Sequence, residues 1–517
     1  MRIAFPGLLT VTALFFAAAP LAAAERPNVL VVMVDDLGWA DLGCYGSEIA
    51  TPNLDALAAD GLQFTRFYNT GKCHSSRVCL LSGQWCHKAD KTRSGSGMSR
   101  AVTFGDVLGE AGYHTSMSGK WHLRGEPTDR GFDRYFGHLS GATNFFVGDE
   151  TFRLDGRPWA EFDKDFYTTV ADTDYAIAFI SEALDEGRPF LSYVAYNAPH
   201  YPLHVPEEDF RKYERVYEAG WDAVREARFA KQKRLGLVPV DAELPPRPDV
   251  VPAWETLASD ERNWEARRMA AFAGMIDRLD REFGRLVDFL KSRDAWENTL
   301  LLFCSDNGGC PFERTKRADL EPWDPESYWT YDTAWATVSN TPLKYYKQNN
   351  HEGGVSSPLI AHWPAGLRRH GLYDEPAHLV DIMPTLMELG GAPYPDADEG
   401  RPIRGHDGVS FAAALRGEEW SRDAPIFFYF GSNAALIDGD RKVVSCRGGA
   451  WELYDLATDR SERNDLAGMR PDETASLVRR YEEIWGQPFK VDADPGVPTT
   501  HQKPRRSRMK IDPQPPS

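Results

Sequence analysis

The feature that most constrains the fold is a set of short apolar runs that alternate with helical segments. Four of these runs predict strands: NVLVVMVDD, FLSYVAYNAPH, TLLLFCSDNGG and SPLIAHWP. The first of them is continuously apolar, which is typical of a buried strand in a parallel sheet. PNLDALAADG predicts a short helix, and helical periodicity extends over residues 169–185, 262–292 and 377–389. The alternation predicts an α/β fold with a large mixed, mostly parallel sheet that is flanked by helices on both faces.

The pattern changes near residue 420. Short runs then follow one another closely, and they predict a small antiparallel sheet: APIFFYFG, AALIDGD, RKVVSC and WELYDLATD. A helix is predicted over residues 472–485. We therefore predict a large domain over residues 25–420, a C-terminal subdomain over 421–490, and a disordered tail in the Pro-rich, basic segment 491–517.

The first 24 residues have the layout of a signal peptide. Arg2 is followed by an apolar run and then by small residues, which indicates cleavage near Ala24. The protein is therefore expected to be exported, either to a periplasm or out of the cell. No later run approaches the roughly 20 apolar residues that a membrane span needs, so no membrane span is predicted.

The net charge limits the kinds of ligand that the protein can bind, and the cysteine count limits the role of disulfide bonds. The formal net charge of -18 argues against a general nucleic-acid binder, although a polyanion can still bind at a local basic site. Seven cysteines in 517 residues are too few for a disulfide framework, and their odd number leaves at least one unpaired.

Polar side chains lie at the ends of three of the four apolar runs. Asp35 and Asp36 end the first run, His200 ends another, and Asp306 with Asn307 ends a third. Because strand ends in an open α/β sheet share one crevice, these side chains are expected to converge. A paired Asp after a strand is more often a turn or a helix cap, so the hypothesis depends on that convergence. Three carboxylates and one amide suit Ca²⁺ or Mg²⁺ rather than Zn²⁺.

Basic side chains are available for an anion. GKWHLR places Lys120 and His122 two residues apart, which in an extended segment directs both side chains to one face. Arg77 lies in CHSSR, and Lys347 lies in YYKQNNHEGG. Single lysines are usually solvated, and a lone histidine is usually an ordinary polar residue. Gathered with His200 around a divalent cation, these groups would bind a compact tetrahedral anion.

These segments together resemble the sulfatase family. The resemblance runs from RPNVLVVMVDDLGWADLGCYG to ELYDLATDRSERNDLA, and three segments are similar to the bacterial arylsulfatase branch: NTPLKYYKQNNHEGGVSSPLIAHWP, GFDRYFGHLSGATNFF and YEAGWDAVREARFAKQKRLGLVP. It implies an alkaline-phosphatase-like fold and hydrolysis of aryl or carbohydrate sulfate monoesters to an alcohol and inorganic sulfate. The substrate would be a sulfated small molecule or a sulfated glycan, whose alcohol part is expected to contact loops such as 205–260 and 311–340.

The resemblance also implies a modified nucleophile at Cys73. In the family a formylglycine-generating enzyme oxidises this cysteine to formylglycine, and that enzyme is therefore an expected partner. An ordinary hydroxyl would be trapped as a sulfate ester, whereas a hydrated aldehyde can expel the sulfate. By the same resemblance, one Ca²⁺ would be held by Asp35, Asp36, Asp306, Asn307 and the hydrate at Cys73.

The remaining roles follow the same resemblance. Lys120 and Lys347 would neutralise the sulfate oxygens. His200, helped by Lys347, would protonate the leaving alcohol, and His122 would accept the proton that triggers sulfate release. Arg77 would orient the hydrate and the metal carboxylates.

One departure from the family keeps alternatives open. Ser75 stands where the family usually has proline, the residue that helps the modifying enzyme to recognise its target. Cys73 could thus stay an ordinary thiol, free or bridged to Cys79 or Cys86, in an inactive protein that binds sulfated glycans. A second alternative is a phosphatase or phosphodiesterase of the wider superfamily. Those enzymes generally use two zinc ions and histidine ligands, and Asn307 beside Asp306 favours calcium instead.

Overall fold

The structure is a computed structural model, and it describes residues 26–91, 96–398 and 400–490. The predicted signal peptide and the predicted C-terminal tail lie outside these ranges. Within them, no helix is both long enough and apolar enough to cross a membrane.

A large mixed sheet forms the centre of the molecule. Its strands are β1 (Asn28–Val34), β2 (Leu62–Tyr68), β3 (His114–Gly119), β4 (Arg134–His138), β5 (Phe152–Leu154), β6 (Arg157–Pro158), β7 (Phe190–Ala195), β8 (Thr299–Ser305), β9 (Ser356–His362), β10 (Gly371–Tyr373) and β11 (Ala377–His378). The strand order is β10-β2-β9-β8-β1-β7-β3-β4-β5-β6, and β11 pairs with β2. β1 runs parallel to β7 and β8, whereas β9 runs antiparallel to both β8 and β2. The predicted mixed, mostly parallel sheet is confirmed.

Helices flank this sheet and the smaller C-terminal sheet. They are α1 (Pro52–Asp60), α2 (Cys73–Ser82), α3 (Cys86–Ala89), α4 (Phe104–Glu110), α5 (Thr168–Asp185), α6 (Glu207–Tyr213), α7 (Gly220–Leu235), α8 (Ser259–Ser292), α9 (Thr333–Ser339), α10 (Glu352–Val355), α11 (Ile382–Gly390), α12 (Ala412–Leu415) and α13 (Pro471–Trp485). α5 and α8 match the predicted helices at 169–185 and 262–292 closely.

Strand β1 shows why its sequence is continuously apolar. Val29, Val31 and Met33 belong to one hydrophobic cluster, and Leu30 and Val32 belong to the cluster on the opposite face. Successive side chains of a strand point to opposite faces, so both faces of β1 are covered. A strand in this position has no solvent-facing side on which polar residues would be favoured.

The predicted helix at 377–389 is wrong over its first residues. Ala377 and His378 form β11 beside β2, and α11 begins only at Ile382. The backbone N–H of His378 donates to Asp381 Oδ2 (2.8 Å), and the N–H of Val380 donates to His378 Nδ1 (3.1 Å). These two bonds cap a single 3-10 turn, Leu379–Asp381, that leads directly into α11.

The C-terminal part forms the predicted small antiparallel sheet with a helix. Its strands are β14 (Ile426–Phe430), β15 (Asn433–Asp438), β16 (Arg441–Ser445) and β17 (Glu452–Asp455), and they follow the short hairpin of β12 (Ala397–Asp398) and β13 (Arg401–Pro402). α13 packs beside β15 and β16. The proposed boundary at residues 420 and 421 stays a prediction.

Candidate active site

The ends of β1 and β8 bring four oxygen-bearing side chains together. The two strands pair in parallel with Val34 opposite Ser305, so the residues that follow them are neighbours. Asn307 Nδ2 donates to Asp36 Oδ1 (2.6 Å), and the Asp36 N–H donates to Asp306 Oδ1 (3.4 Å). Together with Asp35, these side chains are almost completely buried. The expected convergence at the strand ends is therefore present.

Helix α2 directs Cys73 and Arg77 into the same crevice. Cys73 is the first residue of α2, and Arg77 lies one turn later on the same side. Arg77 Nη2 donates to Asp306 Oδ2 (2.9 Å), and Nη1 donates to the Lys120 carbonyl (2.9 Å). Cys73 Sγ and carboxylate oxygens of Asp35 and Asp306 all lie within 4.8 Å of one another.

The segment after β3 is not extended, contrary to the prediction. β3 ends one residue before Lys120, and His122 has a φ of +56°. The two side chains therefore do not share the face of a strand. Lys120 Nζ nevertheless forms a buried ion pair with Asp35, and the His122 ring lies 6.0 Å from the His74 ring.

Lys347 reaches the site from the loop between α9 and α10. Its N–H donates to the Gly309 carbonyl (3.1 Å), and its Nζ forms a buried ion pair with Asp36 Oδ1. Gly308 permits this approach, because a Cβ at that position would lie 2.0 Å from the Gly353 carbonyl oxygen. A side chain at residue 308 would push the lysine loop away from the end of β8.

His200 presents one ring nitrogen to the carboxylates. Its Nδ1 lies 2.6 Å from the Tyr201 carbonyl, which can only accept, so Nδ1 carries the hydrogen. Nε2 lies 3.5 Å from Asp36 Oδ2. Burial lowers the pKa of His200 to about 4, against the opposing influence of Asp36 and Asp35. At neutral pH the imidazole is therefore neutral, with Nε2 as an acceptor.

The site contains three buried carboxylates and three buried cations, which are Asp35, Asp36, Asp306, Arg77, Lys120 and Lys347. Burial and the neighbouring Asp35 raise the pKa of Asp306 to about 7. Burial alone would raise the pKa of Asp35, but Lys120 and other nearby cations hold it well below its ordinary value. Burial would lower the pKa of Lys347, but Asp36 raises it well above its ordinary value. Repulsion between the Asp306 and Asp35 carboxylates contributes to the raised pKa of Asp306, and a bound cation would reduce that repulsion.

The donor set fits a hard divalent cation. Asp35 Oδ1, Asp36 Oδ2 and Asn307 Oδ1 are buried acceptors that receive no hydrogen bond in the described chain. An unsatisfied buried acceptor is unfavourable, and carboxylate and amide oxygens are the ligands that Ca²⁺ prefers. His200 also lies with Asp35 and Asp36 in a group whose ligand atoms are within 4.8 Å of one another, so a nitrogen donor is near. His200 was expected at this crevice from its position after a strand, but as the proton donor and not as a metal ligand.

Two neighbours of the site were missed from the sequence. His138 ends β4, and its Nδ1 lies 3.0 Å from Ser140 Oγ. Burial and then Lys120 lower the pKa of His138 to about 3. Tyr193 lies within β7, and its hydroxyl accepts from Arg77 Nη1 (3.4 Å). His138 ends a strand and could therefore have been predicted near the site in the same way as Asp35, whereas nothing in the sequence distinguishes Tyr193.

The cysteines are unbridged. All seven lie in the described part of the chain, and none forms a disulfide. Cys73 and Cys79 share α2, and neither Cys79 nor Cys86 is bonded to Cys73. The structure therefore does not have the bridge that was considered as an alternative fate for Cys73.

Comparisons with known proteins agree on one family. The sulfatase family model matches residues 27–392. An uncharacterized sulfatase of Schizosaccharomyces pombe is 30% identical, with 92% of this chain and 95% of that protein covered. An arylsulfatase of Klebsiella aerogenes is 32% identical, with 78% and 95% covered. The crystal structure of Ps i-CgsB in complex with k-i-k-neocarrahexaose is 26% identical, with a TM-score of 0.67 and 91% and 96% covered. This chain belongs to the sulfatase family, whose members are sulfuric ester hydrolases.

Proposed function

We propose that this sulfatase is exported and hydrolyses sulfate monoesters of aryl or carbohydrate alcohols, using formylglycine derived from Cys73 and one Ca²⁺. The observation that carries the proposal is the convergence of Cys73 with unsatisfied carboxylate oxygens and with the buried cations Arg77, Lys120 and Lys347. Export rests on the signal-peptide pattern of residues 1–24.

Residue 73 is well placed to be the nucleophile. It lies at the start of α2, where the first backbone N–H groups have no partner within the helix. After oxidation, the hydrated aldehyde would supply one hydroxyl for attack on sulfur and a second whose proton is lost when sulfate is released. Arg77 fixes this end of the site, because its guanidinium bonds to both Asp306 and the Lys120 carbonyl.

Calcium would be held by Asp35, Asp36, Asp306, Asn307 and residue 73. When bound, it supplies a Lewis acid that polarises the sulfuryl oxygens. Lys120 and Lys347 now pair with Asp35 and Asp36. When Asp35 and Asp36 hold calcium, both ammonium groups would be free to neutralise the sulfate oxygens during transfer.

Two histidines would carry out the two proton transfers of the reaction, His200 to the leaving alcohol and His122 from residue 73. His200 Nδ1 is fixed by the Tyr201 carbonyl, so Nε2 is the nitrogen that would face the leaving alcohol. Because Nε2 is an acceptor in the neutral ring, it would first have to gain a proton, with the help of Lys347, and would then give it to the alcohol. Burial, Lys120 and Arg77 hold the pKa of His122 well below its ordinary value. His122 is therefore a neutral imidazole that can accept the proton released from residue 73.

The test combines a mass measurement with turnover. The protein is produced together with a formylglycine-generating enzyme, and the mass of the peptide containing residue 73 is determined. Turnover of an aryl sulfate is measured with calcium and with a chelator, and Cys73→Ala is the control. We expect an aldehyde mass and calcium-dependent turnover that Cys73→Ala lacks. An unmodified cysteine without turnover would contradict the proposal and favour the inactive glycan binder.

One observation favours a second candidate, a zinc-dependent phosphatase or phosphodiesterase. His200 Nε2 lies in one group with Asp35 and Asp36, and imidazole nitrogen is a good zinc ligand. This candidate predicts that phosphate-ester turnover is lost on chelation and restored by zinc. Sulfate-ester turnover restored by calcium alone would exclude it.

A further inference from the structure

A ridge of aromatic and basic side chains lies beside His200, and we propose that it binds a second anionic group of a glycan substrate. The ridge consists of Tyr201, Phe312, Arg314, Lys316 and Tyr328. The ligand would be an oligosaccharide with at least two sulfate groups, one in the active site and one on the ridge. The inference rests on the proposed sulfatase function and extends it to a class of substrate.

Three successive contacts connect the active site to the ridge. His200 Nε2 lies 3.5 Å from Asp36 Oδ2. The His200 and Tyr201 ring centroids are 4.1 Å apart. Arg314 Nη1 then donates to the Tyr201 hydroxyl (2.7 Å). A substrate that leaves the site past His200 therefore meets the ridge directly.

The cationic groups of the ridge are held in place by aromatic rings. The Arg314 guanidinium lies 5.5 Å from the Tyr201 ring centroid and 5.1 Å from that of Phe312. Lys316 Nζ lies 5.4 Å from the Tyr328 ring centroid, and the two residues pair through their backbones. Cation–π contacts reduce the freedom of both side chains, so less ordering is needed when an anion binds.

The charges of the ridge are not neutralised by the protein. Within the described ranges, neither Arg314 nor Lys316 forms an ion pair, and both are exposed. Acidic side chains of the same loop are engaged with other arginines. Glu313 pairs with Arg268, whereas the nearby Asp319 and Glu326 both pair with a third arginine, Arg317. The ridge therefore offers two free cations on a protein whose formal net charge is -18.

This combination suits a sulfated sugar better than a small aryl sulfate. The guanidinium and ammonium groups can form charge-assisted hydrogen bonds with sulfate oxygens. The Tyr201 and Tyr328 rings offer amphipathic surfaces of the kind found at interfaces with partly polar ligands. An aryl sulfate has a single anionic group, which the active site already takes. The cations of the ridge can contribute to binding only when the substrate carries a second anionic group.

The experiment compares two charge-reversal variants in a Cys73→Ala background, which prevents turnover. The first is Arg314→Glu with Lys316→Glu. The control is Lys291→Glu with Arg369→Glu, which has the same charge change. In the control the cations also lie over aromatic rings, 5.3 Å from the Trp296 centroid and 5.2 Å from that of Tyr373. They precede β8 and β10 and so lie at the sheet edge opposite the active site.

The measurement is the dissociation constant of a fluorescent heparin-derived hexasaccharide at low and moderate salt. We expect the ridge variant to bind at least tenfold more weakly, the control to change less than twofold, and the affinity to fall as salt rises. Equal losses in both variants, or no loss in the ridge variant, would overturn the inference. Aryl sulfate turnover by the unsubstituted, formylglycine-bearing protein is measured separately, so failure of the proposed function is distinguishable from failure of the ridge.

Discussion

Ser75 shows how a single residue can depart from a family pattern and keep the local structure. It is the third residue of α2, and its hydroxyl contacts the Lys72 carbonyl (3.0 Å) and Thr70 Oγ1 (2.6 Å). First-turn N–H groups have no partner within the helix, so proline at this position would remove no helical hydrogen bond. The helix therefore does not require serine rather than proline at residue 75 for its backbone hydrogen bonds, and the effect of this departure is expected in the maturation of Cys73.

Ser75→Pro is expected to raise the fraction of Cys73 that is converted to formylglycine. The substitution restores the residue that the family pattern has, and loss of the serine hydroxyl bonds should cost only about 1 kcal/mol. Peptide mass determination after coproduction with a formylglycine-generating enzyme measures the converted fraction. Ser75→Ala is the matched control, because it removes the hydroxyl without adding the ring. Equal conversion in the two variants would refute the expectation.

His200→Ala tests the assignment of the acid. Esters of poor leaving groups need a proton in the transition state, so their kcat/KM should fall by roughly 10²–10⁴-fold. Activated aryl sulfates need little help, and they should lose much less. His370→Ala, at an exposed histidine bonded to the Asp60 carbonyl, is the control. Equal losses on both substrate types would show that His200 has another role.

At the scale of secondary-structure elements, the sequence predicted those strands and helices that have a clear local pattern of apolar residues. β1 and β8 were readable because burial on both faces requires a continuous apolar run, and α8 was readable from its 3.6-residue period. β11 could not be predicted, because the capping bonds between His378 and Asp381, which start the helical segment only at Leu379, leave no sign in the 3.6-residue pattern. The bend at His122 was missed as well, since a positive φ at a non-glycine residue leaves no compositional signal.

The contact between the C-terminal sheet and the large domain contains a buried lysine that can be tested. Lys442 on β16 lies 2.9 Å from Glu352 Oε1 and 2.8 Å from Glu462 Oε1, and all three side chains are inaccessible to solvent. Burial would lower the pKa of Lys442, but Glu352 and Glu462 raise it above its ordinary value. The ammonium group therefore neutralises two carboxylates that have little access to water.

Lys442→Met should lower the free energy of unfolding by roughly 3–5 kcal/mol, because it removes the ammonium group from two buried carboxylates, of which Glu352 keeps only its longer contact with Arg460 (3.4 Å). Urea and thermal unfolding measure the loss. The triple variant that also carries Glu352→Gln and Glu462→Gln should recover part of it, since it removes the uncompensated charges. A loss below about 1 kcal/mol in Lys442→Met would mean that the cluster is more hydrated than its burial indicates.

At the scale of the whole molecule, the active site is an assembly of distant segments. Groups at strand ends could be predicted to meet, because parallel strands present their carboxyl ends at one edge of the sheet. The approach of Lys347 depends instead on the close contact of Gly308 with Gly353, which is a property of the packed chain. The ridge beside His200 has the same character, since Arg314 and Tyr201 are far apart in sequence and meet only in the fold.

The residues that would bind the cation come from segments far apart in sequence, so the binding site exists only in the folded protein. Binding of the cation should therefore stabilise the whole fold against unfolding. A ligand that binds only the folded state adds about 2.7 kcal/mol of stability when its concentration is 100 times its Kd. Calcium should therefore raise the Tm of the purified protein, and a chelator should reverse the change. The gain should be lost in Asp36→Asn, where one of the unsatisfied carboxylates is removed. Asp288→Asn, at an exposed position on α8, should keep it.

The choice of ion makes this prediction more specific. Oxygen donors favour calcium, whereas a site that uses the His200 nitrogen would favour zinc. The same thermal shift is therefore measured with each ion, in the unsubstituted protein and in Asp36→Asn. A larger shift with zinc, absent from His200→Ala, would assign the nitrogen as a ligand and argue against an oxygen-only calcium site. An equal calcium shift in Asp36→Asn would mean that the ion binds elsewhere on this acidic protein.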